Sequence, residues 1–238
     1  MFRKLSIFLL VFPLVSCAQL QQVVKNLPQV QQTPTVDIAS GLREALTTGI
    51  DKQVSKLTQK DGFFKNELVR IGLPEDLRKV DKALRKIGLS SLADEGLKAL
   101  NRAAENAVNE ATPVFISAVK DIKFDDAKTI LLGNNSAATE YLTTKTETAL
   151  YQKFNPVIKQ SFSKVGADKI WANLINKYNT AMTLTGGEKI NPDLEEYITE
   201  RAIDGLFIMV EKEENKIRLD PMARVSDLLS KVFGSLTN

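Results

Sequence analysis

The stretch SSLADEGLKALNRAAENAVNEA, residues 90–111, places small side chains where a helix would have its inner face. That face consists of Gly96, Ala99, Ala103, Ala107 and Ala111, and beside it lie Leu92, Leu100, Ala104 and Val108. Small residues allow neighbouring helices to approach closely. The stretch therefore predicts a helix, capped by Ser90 or Ser91, near the centre of a helical bundle.

Helical signals continue on both sides of this stretch, with glycine and proline at the boundaries. A first helix is predicted over about 38–57, where one stripe contains Leu42, Ala45, Leu46, Gly49, Ile50, Val54 and Leu57. Further helices are predicted at about 75–88, 114–122, 125–133, 136–154, 156–184, 191–218 and 221–233. Pro74 lies in the first turn of the helix at 75–88, Pro113 starts the one at 114–122, and Ser136 and Asn191 cap those at 136–154 and 191–218. The helix at 156–184 continues through Gly166 or breaks near it. No segment has a convincing hairpin signal. The pattern predicts one all-α, bundle-like domain of about eight to ten helices over residues 37–238.

The composition removes several kinds of chemistry. The 238 residues contain no histidine and one cysteine, Cys17. Triads that use an imidazole base, zinc sites built from His or Cys, and disulfides are therefore excluded. We expect no metal site, no cofactor and no catalytic residue of these types.

The first 16 residues have the plan of a signal peptide. Arg3 and Lys4 precede an apolar run over residues 5–15, and the small residue Ser16 follows it. The sequence LVSC, residues 14–17, resembles the lipobox of bacterial lipoproteins. That resemblance implies cleavage before Cys17 and fatty acyl chains on its sulfur and new amino terminus. The alternative is an ordinary signal peptide followed by a chance cysteine.

Residues 17–36 are predicted to be the lipidated cysteine and a flexible tether. The segment is rich in Gln and has no sustained period. Its alternative is a short helix at residues 20–25 that lies on the membrane. Ala18 stands where an Asp would resemble the signal for retention in the inner membrane of enteric bacteria. We therefore expect anchoring at the periplasmic face of the outer membrane.

The mature charge gives no reason to expect nucleic-acid binding. The 32 basic residues fall to 30 when Arg3 and Lys4 leave with the signal, against 29 acidic residues. Nucleic-acid binding would instead require a clustered basic face.

Seven stretches together resemble the bacterial family called domain of unknown function 4197. They are residues 41–57, 61–80, 101–108, 124–133, 137–142, 154–160 and 205–234. The resemblance implies an exported protein, often with a lipoprotein signal. It carries no functional residues onto this chain.

Candidate contact residues lie in the predicted loop at residues 61–73. Phe63 and Phe64 are adjacent aromatic residues outside any helical stripe. We expect one ring to fill the core and the other to line a groove or meet a partner. Arg70 could bind a carboxylate or an anionic ligand. On the small-faced helix, Arg102 and Glu105 are predicted to form a partly buried ion pair.

Carboxylates are the remaining general acids and bases. The candidates, chosen by abundance only, are Glu105, Glu110, Glu211, Glu213 and Glu214, although the run at residues 211–214 is interpreted as a solvated face. The favoured function is that of a non-enzymatic, anchored lipoprotein whose helical domain binds a partner protein or an apolar ligand. One alternative is a carboxylate-dependent hydrolase or lyase of the cell wall. Another is a purely structural spacer.

Overall fold

The computed structural model describes residues 38–86, 88, 90–164, 167–187, 189, 193–223 and 230. Within these residues the chain forms eight α-helices, a short 3-10 turn and no β-strand. The helices are α1 (Ile38–Leu57), α2 (Glu75–Lys86), α3 (Ser90–Val108), α4 (Ala111–Lys120), α5 (Phe124–Leu132), α6 (Ala137–Lys164), α7 (Ala167–Thr185) and α8 (Leu194–Leu219), and the 3-10 turn is Pro221–Ala223. The prediction of an all-α domain is confirmed.

The centre of the domain is formed by α3, α6 and α8, which pack on one another. On α3 the inner residues Leu100, Ala103, Ala104 and Ala107 are all buried. Because three of these four residues are alanines, α3 can lie close to both long helices. The predicted central position of this helix is therefore confirmed. Its predicted end at Ala111 is wrong, since α3 ends at Val108 and α4 begins at Ala111.

α6 continues through Pro156, where the sequence predicted a break between two helices. Proline removes one helical hydrogen bond and crowds the carbonyl of the residue four positions earlier. Here both Pro156 and Gln152 lie on the exposed face, where water can solvate that carbonyl. Phe154 and Ile158 are fully buried on the opposite side. Core packing on both sides of the proline therefore keeps α6 continuous.

α8 begins later than predicted because a different residue caps it. The Asp193 carboxylate accepts hydrogen bonds from the backbone N–H groups of Glu195 at 3.0 Å and Glu196 at 3.4 Å. An N-cap aspartate satisfies helix donors in this way. Asn191, the predicted cap, lies outside the described residues. The predicted helix at 221–233 also falls mostly outside them, and its first residues form the 3-10 turn.

A buried carboxylate on α8 caps the start of α6. Glu214 accepts hydrogen bonds from the backbone N–H groups of Ala138 and Thr139, both at 2.9 Å, and from the Thr139 hydroxyl at 2.8 Å. The hydroxyl of Ser136, which the sequence predicted as the cap, donates instead to Glu211 at 2.9 Å. A negative charge at a helix N-terminus is favourable because the first N–H groups have no partner within the helix. Glu214 therefore joins α8 to α6.

One turn later, Arg218 joins α8 to the end of α5. Its guanidinium donates to Glu214 at 2.8 Å and to the backbone carbonyls of Ile130 and Leu131 at 2.8 Å and 3.3 Å. Carbonyls at a helix C-terminus carry partial negative charge, which a cation complements. The Glu214–Arg218 pair thus stabilises the end of one helix and the beginning of the next.

We predict that Glu214→Ala lowers the free energy of unfolding by about 3–5 kcal/mol, because the Arg218 side chain, which is only 10% exposed, loses its carboxylate. Urea denaturation followed by circular dichroism measures this change. Glu200→Ala, at an exposed position of the same helix, is the matched control and should change the unfolding free energy by less than about 0.5 kcal/mol. Equal effects of the two substitutions would contradict the account.

Candidate functional site

The connection between α1 and α2, residues 58–74, is held against α3 by a buried amide. The Asn101 side chain accepts a hydrogen bond from the backbone N–H of Ile71 at 2.8 Å and donates to the Ile71 carbonyl at 2.9 Å. It also donates to the carbonyl of Leu97 at 2.8 Å. Asn101 is fully buried, so water does not compete for these groups. One side chain therefore satisfies both backbone groups of Ile71.

A second buried side chain on α3 holds the start of the connection. Glu105 accepts from the backbone N–H of Phe63 at 3.2 Å and from Arg102 at 2.5 Å, which confirms the predicted ion pair. Arg102 also reaches Asp61 at 3.3 Å. The hydrogen bond from Lys65 lowers the pKa of Asp61, and the charges of Lys65 and Arg102 act in the same direction. This network fixes the backbone where the two phenylalanines lie.

The two adjacent phenylalanines differ in burial. Phe63 is fully buried against Gly205 of α8, where a Cβ atom would lie 2.9 Å from its ring. Phe64 is only half-buried. The guanidinium carbon of Arg70 lies 4.5 Å from the centroid of the Phe64 ring, and Lys98 Nζ lies 5.9 Å from it. Phe64 and Arg70 thus lie together at the surface, whereas Phe63 lies in the core.

A groove of about 500 Å³ lies between this connection, α6 and α8. Arg70 lines it, together with Leu68 of the same connection. Ile208 of α8 lies on another part of the wall. Leu68 is 53% exposed and Ile208 is 42% exposed. The groove therefore combines apolar side chains that are open to solvent with charged ones.

One side of the groove is stabilised by Tyr197. Its hydroxyl donates to the carbonyl of Gly72 at 3.1 Å, and burial raises its pKa. Arg201 lies over the Tyr197 ring at 5.8 Å and pairs with Asp204 at 3.1 Å. The Tyr197 hydrogen bond links α8 to the α1–α2 connection. The ion pair with Asp204 compensates the charge of Arg201.

Two charged groups of the groove have neither an ion pair nor a side-chain hydrogen bond within the described part of the chain. Among the described residues, the Arg70 guanidinium makes a cation–π contact with the Phe64 ring and has no acidic partner. The Glu147 carboxylate of α6 has no basic partner among them. The other acids of the wall are engaged, since Asp204 pairs with Arg201 and Glu211 accepts from Ser136. General acid–base hydrolysis of a glycosidic bond uses two carboxylates. One carboxylate and one guanidinium without other polar contacts therefore line the groove.

The other carboxylates considered as catalytic candidates have structural partners or lie away from the groove. Glu213 and Glu214 are each 7% exposed, so the prediction that residues 211–214 form a solvated face is wrong. Glu213 accepts from Lys52 and, at 2.6 Å, from the Gln53 amide of α1. These acids are buried because neighbouring helices bring donors to them. Their spacing from Val210 and Ile217 matches a continuing inner stripe, a signal that the sequence did contain.

Neither a metal cluster nor a membrane span is found in the described part of the chain. No group of three or more Asp, Glu, His or Cys side chains there is arranged to hold a metal ion. None of the described helices is both long and apolar enough to cross a membrane. Glu110 is exposed at the α3–α4 junction, and Cys17 lies outside the described residues.

The fold and the groove define an all-α domain whose buried carboxylates join helices. The chain belongs to the family described as protein of unknown function DUF4197, whose model matches residues 32–234. This confirms the resemblance seen in the sequence. No curated protein and no solved structure matches the chain.

We predict that Asn101→Leu releases the α1–α2 connection, because the Ile71 backbone groups lose their partners. Unpaired buried groups cost about 1–3 kcal/mol each. Hydrogen exchange should become faster at residues 63–72. Asn106→Leu, on the exposed face of the same helix, is the control and should leave exchange in this segment unchanged. Unchanged protection in Asn101→Leu would show that the amide does not hold the connection.

Proposed function

We propose that this protein is a non-enzymatic lipoprotein, anchored through Cys17 at the periplasmic face of the outer membrane, whose helical domain binds a segment of a partner protein in the groove. The observation that carries the proposal is the Arg70 guanidinium. It is positioned on the Phe64 ring beside a groove of about 500 Å³ and has no acidic partner in the described part of the chain.

The groove suits a peptide segment because different parts of its wall carry a cation, apolar side chains and an anion. The planar guanidinium of Arg70 can bind a carboxylate through two parallel hydrogen bonds. Leu68 and Ile208 offer partly exposed apolar surface to a side chain of the partner. Glu147 offers a charge of opposite sign on α6. A segment with an acidic residue, an apolar residue and a basic residue would complement all three features.

Small apolar ligands are a weaker choice. The apolar space between α1 and α8, which Leu42, Ile50 and Ile217 help to line, has a volume of about 30 Å³. A space of that size holds little more than one water molecule. Pockets for small molecules are commonly about 300–1,000 Å³ and mostly apolar. The larger groove is open and has charged walls, which favours a protein partner.

The anchor is proposed from the sequence at residues 14–17. Two or more acyl chains anchor a protein stably, whereas one chain binds only marginally. The tether of residues 18–36 reaches at most about 60 Å when extended, by roughly 3.3 Å per residue. The groove can therefore meet a partner near the membrane surface.

We predict that globomycin, which blocks cleavage of lipoprotein signals, produces a slower-migrating precursor on a gel. Cys17→Ser, expressed behind a signal peptide that is cleaved without lipidation, should remove the protein from the membrane fraction, because no acyl chain can be attached. Immunoblotting of membrane and soluble fractions measures both effects. An unshifted band under globomycin would contradict the lipid anchor.

We predict that Arg70→Glu lowers affinity for the partner at least about tenfold, because it replaces the carboxylate receptor with a like charge. The readout is the recovery of one specific partner from solubilised envelope by wild-type and variant protein. Lys153→Glu makes the same charge reversal at an exposed position of α6 and is the matched control. A partner recovered equally by both variants would argue against binding in the groove, and no partner at all would argue against the function.

A further inference from the structure

Three large apolar side chains are exposed where α5 and α8 end. Leu132, the last residue of α5, is 66% exposed, and Leu219, the last residue of α8, is 70% exposed. Met222, in the 3-10 turn that follows α8, is 89% exposed. Single exposed apolar residues are ordinary, but a group of them marks an interaction surface.

Hydrogen bonds show that the last turns of α5 and α8 are adjacent. Arg218 donates to the carbonyls of Ile130 and Leu131, so the last residues of α5 and α8 are neighbours. Leu132 and Leu219 directly follow residues in this contact. We define Leu132, Leu219 and Met222 as the apolar end.

The chain enters the described domain at this same end. α1 runs antiparallel to α8, because Gln53 contacts Glu213 while Gly49, one turn earlier in α1, lies beside Ile217, one turn later in α8. The beginning of α1, Ile38, is consequently on the side of α8 where Leu219 lies. Ile38, the first described residue, therefore lies at the apolar end, and it follows Cys17 by 21 positions in the sequence.

Each exposed leucine of the apolar end has a lysine one turn before it. Lys128 precedes Leu132 by four residues on α5, and Lys216 precedes Leu219 by three residues on α8. Both lysines are exposed, and neither has an ion pair in the described part of the chain. Apolar side chains flanked by lysines are typical of surfaces that lie in the lipid interface, where the lysines meet anionic headgroups. This pattern favours a lipid surface over a second copy of the chain.

We propose that the apolar end is the membrane-facing surface of the domain, with Leu132, Leu219 and Met222 in contact with the lipid headgroup and acyl boundary. The inference rests on the proposed anchor at Cys17, which keeps this end within reach of the bilayer. On α8 the groove ends at Glu211, eight residues before Leu219, and a rise of about 1.5 Å per residue separates them by about 12 Å. The groove thus stands above the lipid, open to a partner.

The test uses full-length lipidated protein in vesicles of phosphatidylethanolamine and phosphatidylglycerol. Leu132→Cys, Leu219→Cys and Met222→Cys are each labelled with an environment-sensitive fluorophore, and acylation leaves Cys17 unreactive. Leu184→Cys is the matched control, because Leu184 is 85% exposed near the end of α7, outside the apolar end. We expect blue-shifted emission and quenching by nitroxide-labelled lipid at the three positions and neither effect at Leu184.

The outcomes separate this proposal from the anchor. If the protein stays with the vesicles while all three labels remain unshifted and unquenched, the membrane-facing surface is overturned and the anchor stands. If the protein does not stay with the vesicles, the anchor itself fails. A blue shift in soluble Cys17→Ser protein without lipid also overturns the proposal. It would indicate a second copy if it grows with protein concentration, or cover by the chain itself if it does not.

Discussion

The position of the groove depends on one buried constraint, the hold of α3 on the connection between α1 and α2. Asn101 satisfies both backbone groups of Ile71, and Glu105 accepts the N–H of Phe63. Both side chains are at most 2% exposed, so water cannot replace these bonds. A buried polar group without a partner costs more than a hydrogen bond gains. A connection without regular secondary structure is therefore held in one position and presents Arg70 beside the groove.

α8 gives the bundle its second set of polar contacts. Glu213 binds donors of α1, and Glu214 with Arg218 joins the end of α5 to the start of α6. Removing one partner from such a contact would leave a buried charge without compensation. The same helix supplies a wall of the groove and the exposed Leu219. One helix therefore carries contacts that join the bundle, a wall of the groove and part of the exposed apolar surface.

Local patterns predicted the helices well and the groove poorly. The apolar stripe of α1 predicted the residues at which this helix begins and ends. The small residues of α3 predicted its position at the centre of the bundle, because the buried face of a helix follows directly from the spacing of its residues. The break predicted at Pro156 was wrong, since a local rule cannot register the packing of Phe154 and Ile158. The groove joins Leu68 to Ile208 across 140 positions of the sequence. Only the folded arrangement brings these two residues together. The sequence of the loop at residues 61–73 did indicate Arg70 and the two phenylalanines as candidate contact residues.

The central claim is that the groove, positioned by Asn101, receives a protein partner. Site-specific photo-cross-linking in living cells tests it most directly, with a photoreactive residue at Ile208 in the groove and, for comparison, at Phe124, which is 59% exposed on α5. The account predicts a discrete cross-linked product from position 208, none from position 124, and loss of the product in the Asn101→Leu background. Equal products from both positions, or a product from position 208 that survives Asn101→Leu, would contradict it.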